Sequence, residues 1–360
     1  YIAFDVFRGL AIALMILVNT PGDWAYVYSP LLHSDWHGLT PTDVVFPSFL
    51  FIVGASIFFA FSRRGFELNS GNMLKVCKRT VLMFAIGFAL NAYNSFLLGT
   101  DSIRVMGVLQ RIALCYCLAS IIVLSFSISK VYVISIVLLI FYYAIFLIWG
   151  GATPFELEGS ILAKLDGVLL GENHMWTIRG IPFEPEGLLS TIPSTVTLLF
   201  GFEAARRLHS VSIAQSIKAL LKTALVLLAL GYAVSFVMPI NKSIWSVSFV
   251  LINAGLAFAI LSFCIYVSDV RPIKCLYKPL QIYGTNPLFI YCLSWMMATG
   301  FMAINMNHGG QEISLYTALW SHLAIYFAPK LASLLFAMAH LLLFFGLSYV
   351  LYKKKIFVKI

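Results

Sequence analysis

Apolar runs of about 18 to 22 residues recur along this chain, each long enough to cross the roughly 30 Å hydrocarbon core of a bilayer as a helix. The same runs exclude a barrel, whose strands alternate in polarity and need only about 10 residues each. Such windows fall near 4–20, 43–62, 79–98, 106–126, 131–149, 187–205, 217–238, 244–267, 282–304 and 330–351. They predict an all-α membrane protein, a bundle of about ten transmembrane helices forming one domain over residues 1–360. The piece from Ser314 to Ala328 is too short to span, carries His322 and stops at Pro329, so it predicts an interfacial or re-entrant helix near 314–328. The first apolar run lacks a small-residue cleavage site and is expected to be kept as a helix.

Charge sets the expected orientation. With the N-terminus inside, the inner face collects Arg8, the basic loops 63–79, 206–222 and 268–281, and the lysine-rich C-terminal tail, which together hold most of the 24 lysines and arginines. The outer face collects loops 20–42 and 150–186, the second carrying Glu156, Glu158, Asp166, Glu172, Glu184 and Glu186. The positive-inside rule therefore predicts that both termini are cytoplasmic. The net charge of +9 is explained by this orientation and by contact with anionic lipid, or more sharply by an anionic cytosolic cosubstrate, and does not point to nucleic acid.

Signatures of other chemistry are missing. The sequence has no P-loop, no zinc-protease helix and no serine-hydrolase elbow, and its six cysteines lack metal-ligand spacing, so no metal is expected. What stands out is the polar stretch Asn19 to Pro47 between two apolar runs, which holds His33, His37, Asp23, Asp35, Asp43, Trp24 and Trp36 but no lysine or arginine. It reads either as a turn with interfacial aromatic anchors or as a site in which a histidine between Asn19 and Asp43 acts as a base. Four further polar groups lie at or inside apolar windows. Asp5 and Arg8 share one helical face, Arg104 and Arg111 lie two turns apart, Glu186 opens a Pro-Gly helix start, and N-K-S-I-W-S at 241–246 has Y-G-T-N-P-L at 283–288 as a weaker companion. Arg111 inside a helix is expensive and requires a partner.

Together, D-V-F-R-G-L-A-I-A-L-M-I-L-V-N, H-S-D-W-H-G-L-T-P-T-D-V-V-F-P, R-V-M-G-V-L-Q-R, P-E-G-L-L-S-T-I, N-K-S-I-W-S and the closing Y-K-K-K-I-F-V-K-I resemble the heparan-α-glucosaminide N-acetyltransferase family. The resemblance implies a transmembrane acyltransferase that takes acetyl-CoA from the cytosolic side and acetylates the amine of a glucosamine, or of a glucosamine-terminated saccharide, on the other side. It matches His33 to the family's active-site histidine, Asn19 to its partner asparagine and Asp43 to the acid of the following motif, while His37 stands where the animal enzymes have asparagine. It further implies a homodimer and, for what looks like a bacterial relative, residence in the inner (cytoplasmic) membrane as a multi-pass protein.

On that reading, Arg8, Arg63, Arg64, Lys78, Arg79, Arg206 and Arg207 are candidates for the CoA phosphates, with Arg111 deeper in the bundle. Asp35, Trp36, Glu186, Asn241, Lys242, Trp245 and Asn286 are candidates for the acceptor sugar. Direct transfer with His33 as general base is preferred to an acetyl-histidine intermediate, because it lets the two substrates meet from opposite faces. The rival class is an amino-sugar transporter, which many helices and polar residues at mid-depth would also suit, although no internal repeat is visible.

Overall fold

The computed structural model describes residues 2–210, 212–308 and 311–358. The last two residues of the closing lysine motif, Lys359 and Ile360, lie outside them. The described chain runs α1 (Ile2–Asn19), α2 (Val45–Phe61), α3 (Ser70–Leu98), α4 (Val108–Ser125), α5 (Ile128–Trp149), α6 (Ile161–Leu170), α7 (Thr191–Ser210), α8 (Ile213–Ser235), α9 (Val247–Ile265), α10 (Lys274–Tyr283), α11 (Pro287–Ala303), α12 (Leu315–Ala324) and α13 (Pro329–Lys353). Two short antiparallel hairpins, Thr177–Ile178 with Ile181–Pro182 and Asn305–His308 with Gln311–Ser314, lie in the connections.

This is an all-α membrane protein. Each of the ten predicted windows is a helix, and eight of them are long and apolar enough to cross a bilayer. The other two are α11, which is apolar but has only 17 residues, and α7. α7 falls short in hydropathy because it is enclosed by protein: Thr191, Ser194, Thr195 and Thr197 are buried along it, and the hydroxyls of Ser194 and Thr195 donate back to the carbonyls of Ser190 and Thr191 at 2.8 Å. The lipid-facing character sits instead on helices such as α5, where Val133, Ile136, Val137, Ile140, Phe141, Leu147 and Ile148 are exposed.

Several boundaries differ from the sequence reading. The inner loop expected at 63–79 is mostly the start of α3, capped by the Asn69 side chain accepting from Asn72 N at 2.8 Å. Loop 206–222 is largely the end of α7 and the start of α8, and loop 268–281 contains α10. α10 packs flat against α1, because Gly9 and Gly284 leave no side chain between them: a Cβ on Gly9 would stand 1.7 Å from the Leu280 carbonyl oxygen, and one on Gly284 1.9 Å from that of Asp5. The segment 150–186, expected as an outer loop, is likewise structured by α6 and a hairpin. The predicted short helix after Ser314 is α12, whose Tyr316 hydroxyl donates to the Pro21 carbonyl at 2.7 Å.

The centre of the bundle is held by a second glycine contact. A Cβ on Gly54 of α2 would lie 1.8 Å from the Leu198 carbonyl oxygen of α7, and one on Gly201 would lie 1.7 Å from the Phe51 carbonyl oxygen. These helices meet backbone to backbone, so Gly54→Ala and Gly201→Ala should each destabilise the fold by about 1–3 kcal/mol through overpacking. A thermal-unfolding series on detergent-solubilised protein checks this, and midpoints unchanged in both variants would contradict the packing described.

Candidate active site

The stretch between α1 and α2 is organised by one carboxylate. Thr40 caps the turn Pro41–Val44, and Asp43, three residues later, reaches back so that its Oδ2 accepts from Thr40 N at 3.0 Å and Thr40 Oγ1 at 3.0 Å. The same oxygen accepts from Ser34 N at 3.1 Å, and Oδ1 faces His33 Nδ1 at 2.7 Å. Asp43 has no exposed side-chain surface, whereas His33 is 43% exposed. An acid at Nδ1 places the proton there and leaves Nε2 as the ring nitrogen with the lone pair. Lys242 closes the group, its Nζ 3.1 Å from His33 Nε2, 3.0 Å from Nδ1 and 3.8 Å from Asp43 Oδ1.

These residues open on a cavity of about 450 Å³ that is also lined by Asn19, Trp24, Asp35, Arg104, Trp176 and Glu186. Arg104 binds two carboxylates: its Nε donates to Glu184 Oε2 at 2.8 Å and its Nη2 to Glu186 Oε2 at 2.7 Å, with the guanidinium 5.2 Å from the centre of the Trp176 ring. Burial would raise the Glu186 carboxyl, but Arg104, Arg111 and Lys242 outweigh it and hold Glu186 below its ordinary pKa. Burial lowers Lys242, only partly offset by Asp43 and Glu186, so its ammonium is easier to deprotonate than a free lysine's. The cavity thus combines an imidazole, a lysine beside it and the carboxylates of Asp35, Asp43 and Glu186.

A second cavity of about 810 Å³ lies at the other end of the same helices. α1 gives Asp5 and Arg8 to it but Met15, Val18 and Asn19 to the first; α3 gives Lys75, Lys78, Arg79, Leu82 and Met83 to it but Gly87, Leu90 and Asn91 to the first. From Arg8 to Asn19 helix α1 rises roughly 16 Å. Arg8 Nη1 bonds Asp5 at 2.8 Å, and Arg79 lies 4.7 Å from the centre of the Tyr116 ring. Phe357 and Val358 also line this cavity, so both described ends of the chain lie at this end of the bundle.

The predicted residues divide accordingly. The first cavity brings together Asn19, His33, Asp35, Asp43, Glu186 and Lys242, and the second brings together Arg8, Lys78 and Arg79. Four residues expected at the acceptor site lie elsewhere. Trp36 is buried and donates its indole N–H to the Phe155 carbonyl at 3.0 Å, clamping the 20–42 segment to the 150–186 segment. Asn241 is buried, accepting from Ile244 N at 3.0 Å and donating to His37 Nδ1 at 3.3 Å, while His37 Nε2 meets Glu156 at 3.0 Å. Trp245 is buried edge-on against Phe46, and Asn286 sits at the opposite end, holding the Ile356 carbonyl at 3.0 Å and Val358 N at 2.7 Å.

Among the cations, Arg63 and Arg64 do not line the second cavity, and Arg206 and Arg207 both pair with Glu203. Arg111 is wholly buried; its Nη2 donates to the Gly187 carbonyl at 3.1 Å and to Ser190 Oγ, while its Nε and Nη1 have no hydrogen-bond partner among the described residues. Lys75 in the second cavity and Arg104, Trp24 and Trp176 in the first were missed. Arg104 was legible, since it opens the same motif as Arg111, but nothing in the sequence pairs it with Glu184.

Residues 1–155 match the catalytic family described as heparan-alpha-glucosaminide N-acetyltransferase. The similarity to that family covers this N-terminal segment of the chain. The mouse protein named heparan-alpha-glucosaminide N-acetyltransferase is 28% identical over a 427-residue alignment covering 99% of this chain and 60% of the relative. The human protein of the same name is 26% identical, with 99% and 59% covered. The chain therefore spans about 60% of the length of the curated relatives it matches. Asn19, His33, Asp43 and Arg104 fall in the matched segment, whereas Glu186 and Lys242 line the cavity from outside it.

The turn that carries Glu186 is held from behind by Asp166, whose Oδ1 accepts from Leu188 N at 3.0 Å and whose side chain is fully buried. Burial pushes its carboxyl up to about 6 despite the Leu188 N–H and the Arg111 charge. The folded state therefore holds this proton more tightly than the unfolded one, and the corresponding stability, complete below the unfolded carboxylate pKa, is lost as pH rises toward 6. Between pH 4 and 7 the wild-type protein should lose on the order of 2–3 kcal/mol that Asp166→Asn does not lose. Thermal midpoints of the two proteins across that range test the sign, and parallel curves would contradict it.

Proposed function

We propose that this chain is a transmembrane acetyltransferase that moves an acetyl group from acetyl-CoA, bound at the basic cavity, to the amine of a glucosamine-type sugar in the His33 cavity. The observation that carries this reading is the His33–Asp43 pair, with Lys242 beside it, opening on a cavity lined by carboxylates and indoles that backs onto a basic one.

The basic cavity suits the nucleotide end of the cosubstrate, since Arg8, Lys75, Lys78 and Arg79 are the charges that phosphates need. Its position among the basic ends of α1 and α3 fits a cytoplasmic face, with the His33 cavity facing outward. In the first cavity, Glu186 and Asp35 attract the ammonium form of the sugar, while Trp24 and Trp176 offer ring faces to it.

Transfer needs the amine neutral. His33 Nε2 takes a proton from the amine as its nitrogen attacks the thioester carbonyl; the C–N bond forms, the C–S bond breaks as the intermediate collapses, and the proton passes to the departing thiolate. Asp43 keeps the proton of the resting imidazole on Nδ1 and stabilises the imidazolium that forms. Lys242, within 3.1 Å of Nε2 at rest, must yield that position to the incoming amine, and from there its ammonium, with the Asn19 amide, serves the developing oxyanion.

Purified protein incubated with glucosamine and isotopically labelled acetyl-CoA should give labelled N-acetylglucosamine by mass spectrometry. His33→Ala, which removes a half-exposed ring and leaves Asp43 three other donors, should fold normally and lose roughly 10²–10⁴-fold in rate. A His33→Ala protein that transfers at the wild-type rate would overturn the assignment.

A further inference from the structure

We propose that Leu109 is a movable partition between the two cavities, a single side chain that separates them at rest and that the acyl thioester must push aside to reach His33. Leu109 lines both cavities and is itself 3% exposed. The wall is thin at this position. On α3, Gly87 faces it, and a Cβ placed on Gly87 would lie 2.8 Å from Leu109 Cβ and 2.3 Å from Gln110 Oε1. Leu109 and Gln110 together fill the space facing Gly87, with no room for another side chain, and of the two only Leu109 lines both cavities.

The surrounding frame is fixed, which leaves the Leu109 side chain as the soft element. The segment leading into α4 is clamped by Asn91, whose Nδ2 donates to the Arg104 carbonyl at 2.8 Å and the Met106 carbonyl at 2.9 Å. Gln110 Nε2 donates to the Val105 carbonyl at 3.0 Å, and Arg111 ties the next position to the Gly187 carbonyl at 3.1 Å. Moving the backbone would break these bonds between buried groups, whereas a leucine changes rotamer without losing any hydrogen bond. An apolar side chain is also what keeps two cavities lined by charged groups from joining into one path for ions.

The passage of a thioester past Leu109 rests on the acetyl-transfer reading; its role in sealing does not. The wild type, Leu109→Ala and Leu109→Trp are reconstituted in sealed liposomes carrying a pH gradient and a trapped pH-sensitive dye. Leu109→Ala should dissipate the gradient at least about tenfold faster than wild type, and Leu109→Trp should be as tight as wild type. In transfer assays with acetyl-CoA and glucosamine, Leu109→Trp should lose about 100-fold or more in rate while its affinity for acetyl-CoA, measured by equilibrium dialysis, changes less than about twofold. If Leu109→Trp does not survive size-exclusion chromatography as a folded species, Leu109→Phe takes its place. A tight Leu109→Ala liposome, or a bulky variant that transfers normally, overturns the partition. A wild type that transfers nothing overturns the acetyltransferase reading instead, and the leak still decides whether Leu109 seals.

Discussion

The Asp43 carboxylate is the contact on which the site depends. A buried acid needs compensation, and Asp43 draws it from Thr40, Ser34 and His33, three residues that the chain would otherwise leave in a loop. In meeting its own need the acid fixes the loop to the start of α2, orients the imidazole and sets its tautomer. The cost of burying the charge is thus offset by contacts that position the imidazole, which is what the base of the proposed transfer requires. Lys242 arrives from a segment some two hundred residues later and completes the electrostatics from the opposite wall.

Under the proposed acetyl transfer, the bundle has to let a large anionic molecule and an amino sugar meet without a pore. α1 and α3 carry opposite chemistry at their two ends, basic at one and amide-bearing at the other, and each contributes to both cavities. The close contact of α2 with α7 through Gly54 and Gly201 keeps the centre narrow. Thr191 and Thr195 buried along α7 satisfy themselves on their own helix or on the preceding turn, so a relatively polar helix can occupy the interior without unpaired groups at those positions.

The spans were legible because hydrophobic length is a strong local signal, and all ten windows are helices. The start of α3 was not, because its first turns carry Lys75, Lys78 and Arg79, which read as loop charge until they are seen lining a cavity. His33, Asn19 and Asp43 were legible as a motif, and all three line the first cavity. Trp36, Asn241, Trp245 and Asn286 show the limit: an indole or amide in a polar motif announces a hydrogen bond, but sequence does not say whether it faces a ligand or a backbone carbonyl. In each case the partner is the protein itself.

The central claim is that acetyl crosses the bundle and the sugar does not. Reconstitution into sealed vesicles of known orientation tests it, with labelled acetyl-CoA supplied only at the face bearing the chain ends and glucosamine only at the other. The account predicts labelled N-acetylglucosamine on the sugar's side alone, and none when acetyl-CoA is supplied to that side instead. Unmodified sugar crossing the membrane without acetyl-CoA would contradict it and make the chain a transporter.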